Sequence, residues 1–198
     1  NKAIISVFPG SHISEINTLM PILLNFIKLM SRKYNDITYV FHSNIEHNNL
    51  INSSIKNSEL PNCEVISDSK IKSHLLRKSI FAVAKSGTVS LEICNAKIPS
   101  VIVYKMNFIN FLIIKMIVKI NFANIINIAA NEEIIPELLQ SKCNSKNIYK
   151  VVSNFLDTPS KIEEQVKKTQ IVINRFRTNK PSAELASHAL NNILLRQI

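Results

Sequence analysis

Residues 82–92 read AVAKSGTVSLE and place Gly87 between an apolar run and a segment of helical character. Only 2 glycines occur in 198 residues, and the other, Gly10, stands in SVFPGSHISE, residues 6–15, in the same setting. A glycine at a strand-to-helix junction lets the backbone turn tightly and lets a ligand come close to it. The helix that follows exposes free N–H groups and partial positive charge, which suits an anion. In the first loop Ser11 is a candidate cap, with Glu15 in the first turn of the helix. In the second, Ser86 or Thr88 can cap, and Glu92 falls one turn inside. There it is too deep to meet phosphate but placed to accept hydrogen bonds from ribose hydroxyls. Ordinary turn glycines with Ser or Thr caps would account for either loop alone. Two such loops, holding all the glycine of the chain, point to a phosphate-bearing ligand. Neither is GxGxxG or GxxxxGKS/T, which argues against a dinucleotide fingerprint or a P-loop.

Short β-branched runs alternate with helical patterns on both sides of these loops. Strands are predicted over 3–8, 37–41, 63–66, 80–84 and 100–104, and helices over 14–31, 44–57, 71–78 and 88–96. In the first helix Ile16, Leu19, Met20, Leu23, Ile27 and Met30 keep helical spacing. After Tyr104 comes NFINFLIIKMIVKINF, residues 107–122, a helix with Ile109, Leu112, Ile113, Met116, Ile117 and Ile120 on one face. EEIIPELLQ, residues 132–140, also reads as helical, followed by helices near 145–156 and 160–177 and a terminal helix over 182–196. Alternation of short apolar strands with helices predicts an α/β, Rossmann-like parallel sheet covered by helices on both faces. The length suits one domain over 1–198. In such a sheet ligands bind beyond the carboxyl ends of the strands, where both glycine loops lie.

Hydrophobic residues make up 46% and charged residues 19%, a balance that folds rather than stays disordered. Cys63, Cys94 and Cys143 are odd in number, far apart and without a CxxC pair, so neither a disulfide frame nor a zinc site is expected and a reducing cytoplasm fits. His12, His42, His47, His74 and His188 lack ligand spacing, and no metal is expected. The formal charge of +10 suits an anionic ligand or an anionic membrane surface. A bias toward Lys, Asn and Ile codons would raise the charge as well. Aromatics at 7%, no Trp and no nucleic-acid motif argue against a nucleic-acid partner. NKAIISVF is strand-like and ends at Pro9, unlike a signal peptide. Lys115 and Lys119 interrupt residues 107–122, which fall short of the ~18 apolar residues of a spanning helix.

VFPGSHISEI, AKSGTVSLEICNAKIPSVIVYK, NIINIAA, IIPELLQ and AELASHALNNILL resemble, in order and spacing, the C-terminal half of bacterial lipid-A-disaccharide synthase. The resemblance implies one half of a GT-B glycosyltransferase, inverting and metal-independent, with no cofactor. It implies a peripheral enzyme of lipid A biosynthesis on the cytoplasmic face of the inner membrane in a Gram-negative-type bacterium. Such enzymes transfer 2,3-diacylglucosamine from UDP-2,3-diacylglucosamine to 2,3-diacylglucosamine 1-phosphate, releasing UDP. By match to the family's motifs, Gly10, Ser11 and His12, with Glu15 beside them, would face the diphosphate. Ser86, Gly87, Thr88 and Glu92 would hold phosphate and ribose. Tyr104, Asn127, Glu137 and Gln140 fall on family positions around the donor cleft. The apolar helix over 107–122 would suit acylated sugars, although an ordinary buried helix explains it equally. A homo-oligomer is compatible with the pattern.

Two departures and one absence qualify the match. The family reads P-G-S-R where this chain has Pro9-Gly10-Ser11-His12. An arginine there forks onto phosphate with a permanent charge, whereas a neutral histidine offers one donor. The lost charge-assisted contact is worth ~1.5–3 kcal/mol. The family's proline before the cleft asparagine is Ile126 here. The family's N-terminal domain, which receives the acceptor and supplies the catalytic acidic residue, has no counterpart in these 198 residues. No residue is therefore assigned as catalytic base, and that domain is the partner the resemblance implies. Two alternatives remain open: an inactive remnant that binds a UDP-sugar, or another UDP-GlcNAc-type transferase or epimerase.

Overall fold

The computed structural model describes residues 2–60, 62–106 and 122–176. The chain runs β1 (Ala3–Phe8), α1 (Ile13–Met30), β2 (Ile37–His42), α2 (Asn48–Asn57), β3 (Cys63–Ile66), α3 (Ser69–Lys78) and β4 (Ser79–Lys85). It continues through α4 (Val89–Asn95), β5 (Ser100–Tyr104), α5 (Ile125–Ala130), β6 (Glu137–Leu139), α6 (Ser145–Leu156) and α7 (Pro159–Phe176). A 3-10 turn over Ile45–His47 leads into α2. The helices expected over 107–122 and 182–196 lie outside the described residues, apart from Phe122, which is irregular.

All six strands are parallel, in the order β3-β2-β1-β4-β5-β6. This is the doubly wound order, built outward in both directions from the β1–β4 pair. Strand side chains alternate between the two faces, and both faces are packed. Ile5, Val7, Tyr39, Phe41, Phe81, Val83, Val101 and Val103 belong to one core cluster with residues of α1, α2 and α6. Ala82, Ala84 and Ile102 belong to the other, with residues of α3, α4, α5 and α7. By length and composition α1 could cross a membrane. Its apolar character is accounted for by a buried stripe of Ile16, Leu19, Met20, Leu23, Leu24, Phe26, Ile27 and Met30.

The five expected strands are present, β4 one residue longer at each end than its pattern suggested. The helix expected over 132–140 is not formed. Glu137–Leu139 is the sixth strand, pairing Ile102 with Glu137 and Tyr104 with Leu139, and Gln140–Lys142 is a 3-10 turn. Ile134, Ile135, Leu138 and Leu139 carry helical spacing, but Pro136 supplies no N–H for a helix and the open edge of β5 recruits the segment.

Beyond the apolar packing of Val172 and Ile173, one polar side chain of α7 is bonded into the sheet. Gln165, 4% exposed, accepts from the Ser100 N–H at 2.6 Å and donates to the Ser100 carbonyl at 3.1 Å, both at the start of β5. Truncation leaves buried backbone groups without partners, so Gln165→Ala should lower unfolding stability by about 2–3 kcal/mol in urea titrations.

Candidate functional site

A cleft of about 350 Å³ opens where the chain leaves β1 and β4. Phe8, Gly10 and Ser11 line it from the β1 end, and Lys85, Ser86, Gly87, Thr88 and Glu92 from the β4 end. His42 at the end of β2, Asn44 just beyond it, and Lys72 and Leu76 on α3 close the remaining side. Six residues expected from the sequence, Gly10, Ser11, Ser86, Gly87, Thr88 and Glu92, thus meet in one cavity although 75 or more positions separate those of the first loop from those of the second.

The two glycines differ in what holds them. Gly10 has φ +119°, and a Cβ there would lie 2.6 Å from Glu15 Oε2 and 2.8 Å from Glu15 Cβ. This turn excludes a side chain. Gly87 has no such backbone requirement, and a Cβ would meet nothing within 4 Å. The space before Gly87 is the cleft itself. Its N–H and that of Thr88 have no partner among the described residues.

Glu15 stands behind the first loop rather than in the cleft lining. It accepts from the Ser11 N–H at 3.1 Å and pairs with Lys85 Nζ at 2.8 Å. Burial by itself would raise its pKa, but the Lys85 ammonium and the Ser11 and His12 backbone N–H groups outweigh it and hold the carboxyl below its ordinary value. His47, buried in the turn before α2, donates from Nε2 to the Ser11 carbonyl at 3.0 Å. Both backbone polar groups of Ser11 are thereby committed, which leaves its hydroxyl as its group for a ligand. The expected side-chain caps are not made. His12 is the N-cap of α1 and Thr88 that of α4, neither with a side-chain cap bond. The His12 side chain is exposed beside the loop.

Lys85 Nζ also lies 5.1 Å from the Tyr104 ring centre, so one ammonium links the first turn of α1 to the ends of β4 and β5. Asn127 and Glu137 are buried behind the cleft. Asn127 Nδ2 donates to the Ile135 carbonyl at 2.7 Å and to Glu137 Oε1 at 2.8 Å, while Oδ1 accepts from Ile134 and Ile135 N–H. Glu137 also accepts from the N–H of Ala123 at 2.7 Å and of Asn124 at 3.0 Å. The Ala123 carbonyl in turn accepts from Ser86 Oγ at 2.9 Å. This pair therefore reaches the cleft through Ser86. Ile126, where the family has proline, donates its N–H to the Asn124 side chain at 2.9 Å. Gln140 follows β6 at φ +51°, with its Nε2 buried and unpartnered among the described residues.

Sequence reasoning missed Phe8, His42, Lys72 and Lys85. Phe8 and Lys85 stand inside the two junction stretches without a residue type that marks them as ligands, and His42 and Lys72 lie outside any motif, brought to the loops only by the sheet order. Burial pulls the Lys72 ammonium below its ordinary value, against the opposing pull of Glu92. Burial, with Lys72 adding to it, pushes the His42 imidazole down to about 3. Lys72 is a cation facing Glu92 across the cavity, whereas Lys85 is already paired with Glu15.

Comparison with known proteins agrees with this geometry. A family model described as lipid-A-disaccharide synthetase matches residues 1–190. The lipid-A-disaccharide synthase of a Sulfurihydrogenibium species is 30% identical over 98% of this chain and 52% of its own length. That of Rickettsia prowazekii is 31% identical over 98% of this chain and 51% of its own length. Among solved structures, the C-terminal domain of a group 1 family glycosyltransferase from Francisella tularensis aligns with a TM-score of 0.59 at 13% identity, covering 90% of this chain and 87% of that one. The UDP-GlcNAc 2-epimerase of Neisseria meningitidis, solved with UDP-GlcNAc, aligns at 0.57 and 14% identity over 89% of this chain and 45% of its own. The fold is thus the Rossmann-like half of the GT-B architecture. The chain spans about half the length of the curated relatives it matches. By sequence over nearly its whole length, and with a fold and cleft to match, it belongs to the lipid-A-disaccharide synthetase family.

Proposed function

We propose that this chain is the donor-binding half of a lipid-A-disaccharide synthase and that its cleft holds the UDP of UDP-2,3-diacylglucosamine. One observation carries the reading: two helix-leading loops, after β1 and β4, converge on a cavity with the Glu92 carboxylate one turn inside. Family membership supports the substrate class. The diphosphate fits between the Ser11 hydroxyl and the N–H groups of Gly87 and Thr88, with Lys72 supplying charge. Glu92 takes the ribose hydroxyls.

In the reaction proposed, the 6-hydroxyl of the acceptor sugar attacks the anomeric carbon of the donor. The bond from that carbon to the β-phosphate oxygen breaks in line, and UDP leaves with the electron pair. Backbone dipoles already aimed at the diphosphate stabilise the charge that develops there. Removal of the hydroxyl proton falls to the acceptor-binding half of such an enzyme. Attachment to the cytoplasmic face of the inner membrane is part of the same proposal. The net charge of +10 supports it, as do Ile13, 57% exposed, and Ile45, 80% exposed, each next in sequence to a residue at the cleft or its loop.

Calorimetric titration of the chain with UDP should show saturable binding, and no heat or saturation would overturn the reading. The glycines separate fold from function. Gly10→Ala should destabilise the chain by about 1–3 kcal/mol through a strained backbone and the clash with Glu15. Gly87→Ala should leave stability unchanged or raise it by about 0.4–1 kcal/mol. Its methyl group would project into the cleft and weaken UDP binding about tenfold, the loss of one good hydrogen bond.

Glu15→Gln should weaken both stability and UDP affinity at pH 7. Because the folded carboxyl lies below its unfolded value of about 4.3, its contribution is complete above that pH and fades as pH falls through the folded value. Urea titrations should therefore show the two proteins converging as the pH falls below the unfolded carboxyl value. His12→Arg, which restores a forked cation beside the loop, should tighten UDP binding by about tenfold at low salt, read by the same calorimetry.

A further inference from the structure

His42, the last residue of β2, lines the cleft but has no part in the diphosphate and ribose contacts above. It is 6% exposed and stacks on Phe8 with ring centres 4.2 Å apart. Its Nε2 lies 2.8 Å from Ser6 Oγ, and Ser6 Oγ lies 2.8 Å from Ser79 Oγ. Ser79 donates to the Leu75 carbonyl at 2.9 Å.

The protons in this chain follow from its end. A carbonyl only accepts, so the one Ser79 proton points to Leu75. Ser79 Oγ must then accept from Ser6, which commits the one Ser6 proton. Ser6 can therefore only accept from the ring, so Nε2 carries hydrogen and Nδ1 of the neutral imidazole keeps a bare lone pair. The opposite tautomer would ask one hydroxyl to donate twice, leaving a buried acceptor unpaired. Burial keeps the ring neutral. Among the described residues Nδ1 has no hydrogen-bond partner, and it is not one of the buried polar atoms sealed off without one.

We infer that His42 is a specificity residue of the cleft, its Nδ1 accepting a hydrogen bond from a donor on the bound nucleoside. The inference rests on the nucleoside-diphosphate reading of the cavity. In UDP the available donors are the imide N3–H of uracil and the ribose hydroxyls. If the imide is the donor, the residue reads the base. Cytosine presents a lone pair at the same ring position, so two acceptors would face each other and CDP would be rejected. The Phe8–His42 stack and Leu76 supply the apolar wall that a planar base requires.

The test compares UDP with CDP, 2′-deoxy-UDP and 3′-deoxy-UDP by calorimetry on the wild-type chain and on His42→Phe, which keeps a ring against Phe8. Against the wild type, one of these analogues should bind about tenfold or more weakly than UDP, and in His42→Phe that difference should collapse. CDP as the weakened analogue identifies the imide, and a deoxy analogue identifies the ribose. Nitrogen NMR of the wild-type imidazole should report the Nε2–H tautomer, and Ser6→Ala, which removes the lock, should reduce the discrimination. An Nδ1–H tautomer overturns the inference, as does wild-type protein that binds all four nucleotides equally, whatever the variants do. UDP binding without discrimination dependent on His42 overturns this inference alone, whereas no UDP binding overturns it together with the proposed function.

Discussion

The parallel pairing of β1 with β4 is the constraint on which the rest of the molecule depends. It sets Ile5 beside Phe81, Val7 beside Val83 and Phe8 beside Ala84. The strands end side by side, and each is followed by a loop leading into a helix. Elsewhere in the sheet, a strand's neighbours on its two sides were laid down in one direction. At this seam the direction reverses, β2 and β3 lying to one side and β5 and β6 to the other. The helices that follow β1 and β4 therefore pack on opposite faces and leave a crevice between their first turns. The cavity is a consequence of strand order, and the residues that line it were selected by position before chemistry.

A second layer of interactions keeps the crevice in shape. Glu15 and Lys85 join the helix after β1 to the end of β4. Glu15 and His47 together occupy the N–H and carbonyl of Ser11, so the first loop is locked before a ligand arrives. On the other side, Asn127 and Glu137 immobilise Ala123, whose carbonyl receives the Ser86 hydroxyl. Buried polar groups are costly unless each finds its partners, and here the network is nearly closed. The result is a preorganised cavity whose walls are tied to the core from both sides.

Much of the fold was legible in the sequence because each element had a single period. Apolar runs at 3–8, 80–84 and 100–104 are too short and too β-branched to be helices, and α1 repeats its apolar residues at helical spacing over five turns. The segment 132–140 failed because its apolar pairs fit a helix, while the edge of β5 offered backbone partners that no local pattern encodes. Site residues divide the same way. Gly10, Ser11, Ser86, Gly87, Thr88 and Glu92 were readable as two junctions and do meet in the cleft. Glu15 was read beside the diphosphate loop and Asn127 and Glu137 around the donor cleft, and in the structure their polar atoms brace its walls.

By itself the sequence determined the alternation of strands and helices, the two glycine junctions and the family to which they correspond. These are local properties, written in period, in turn chemistry and in residue order. Only the tertiary structure decided that the two junctions share one cavity, that Gly10 is required by backbone geometry while Gly87 leaves room, and that His42 and Lys72 join the site. Those facts depend on which strands become neighbours and on which hydrogen bonds close in the interior. Both are set by packing across the whole sheet, between residues as far apart in the chain as Ser6 and Ser79.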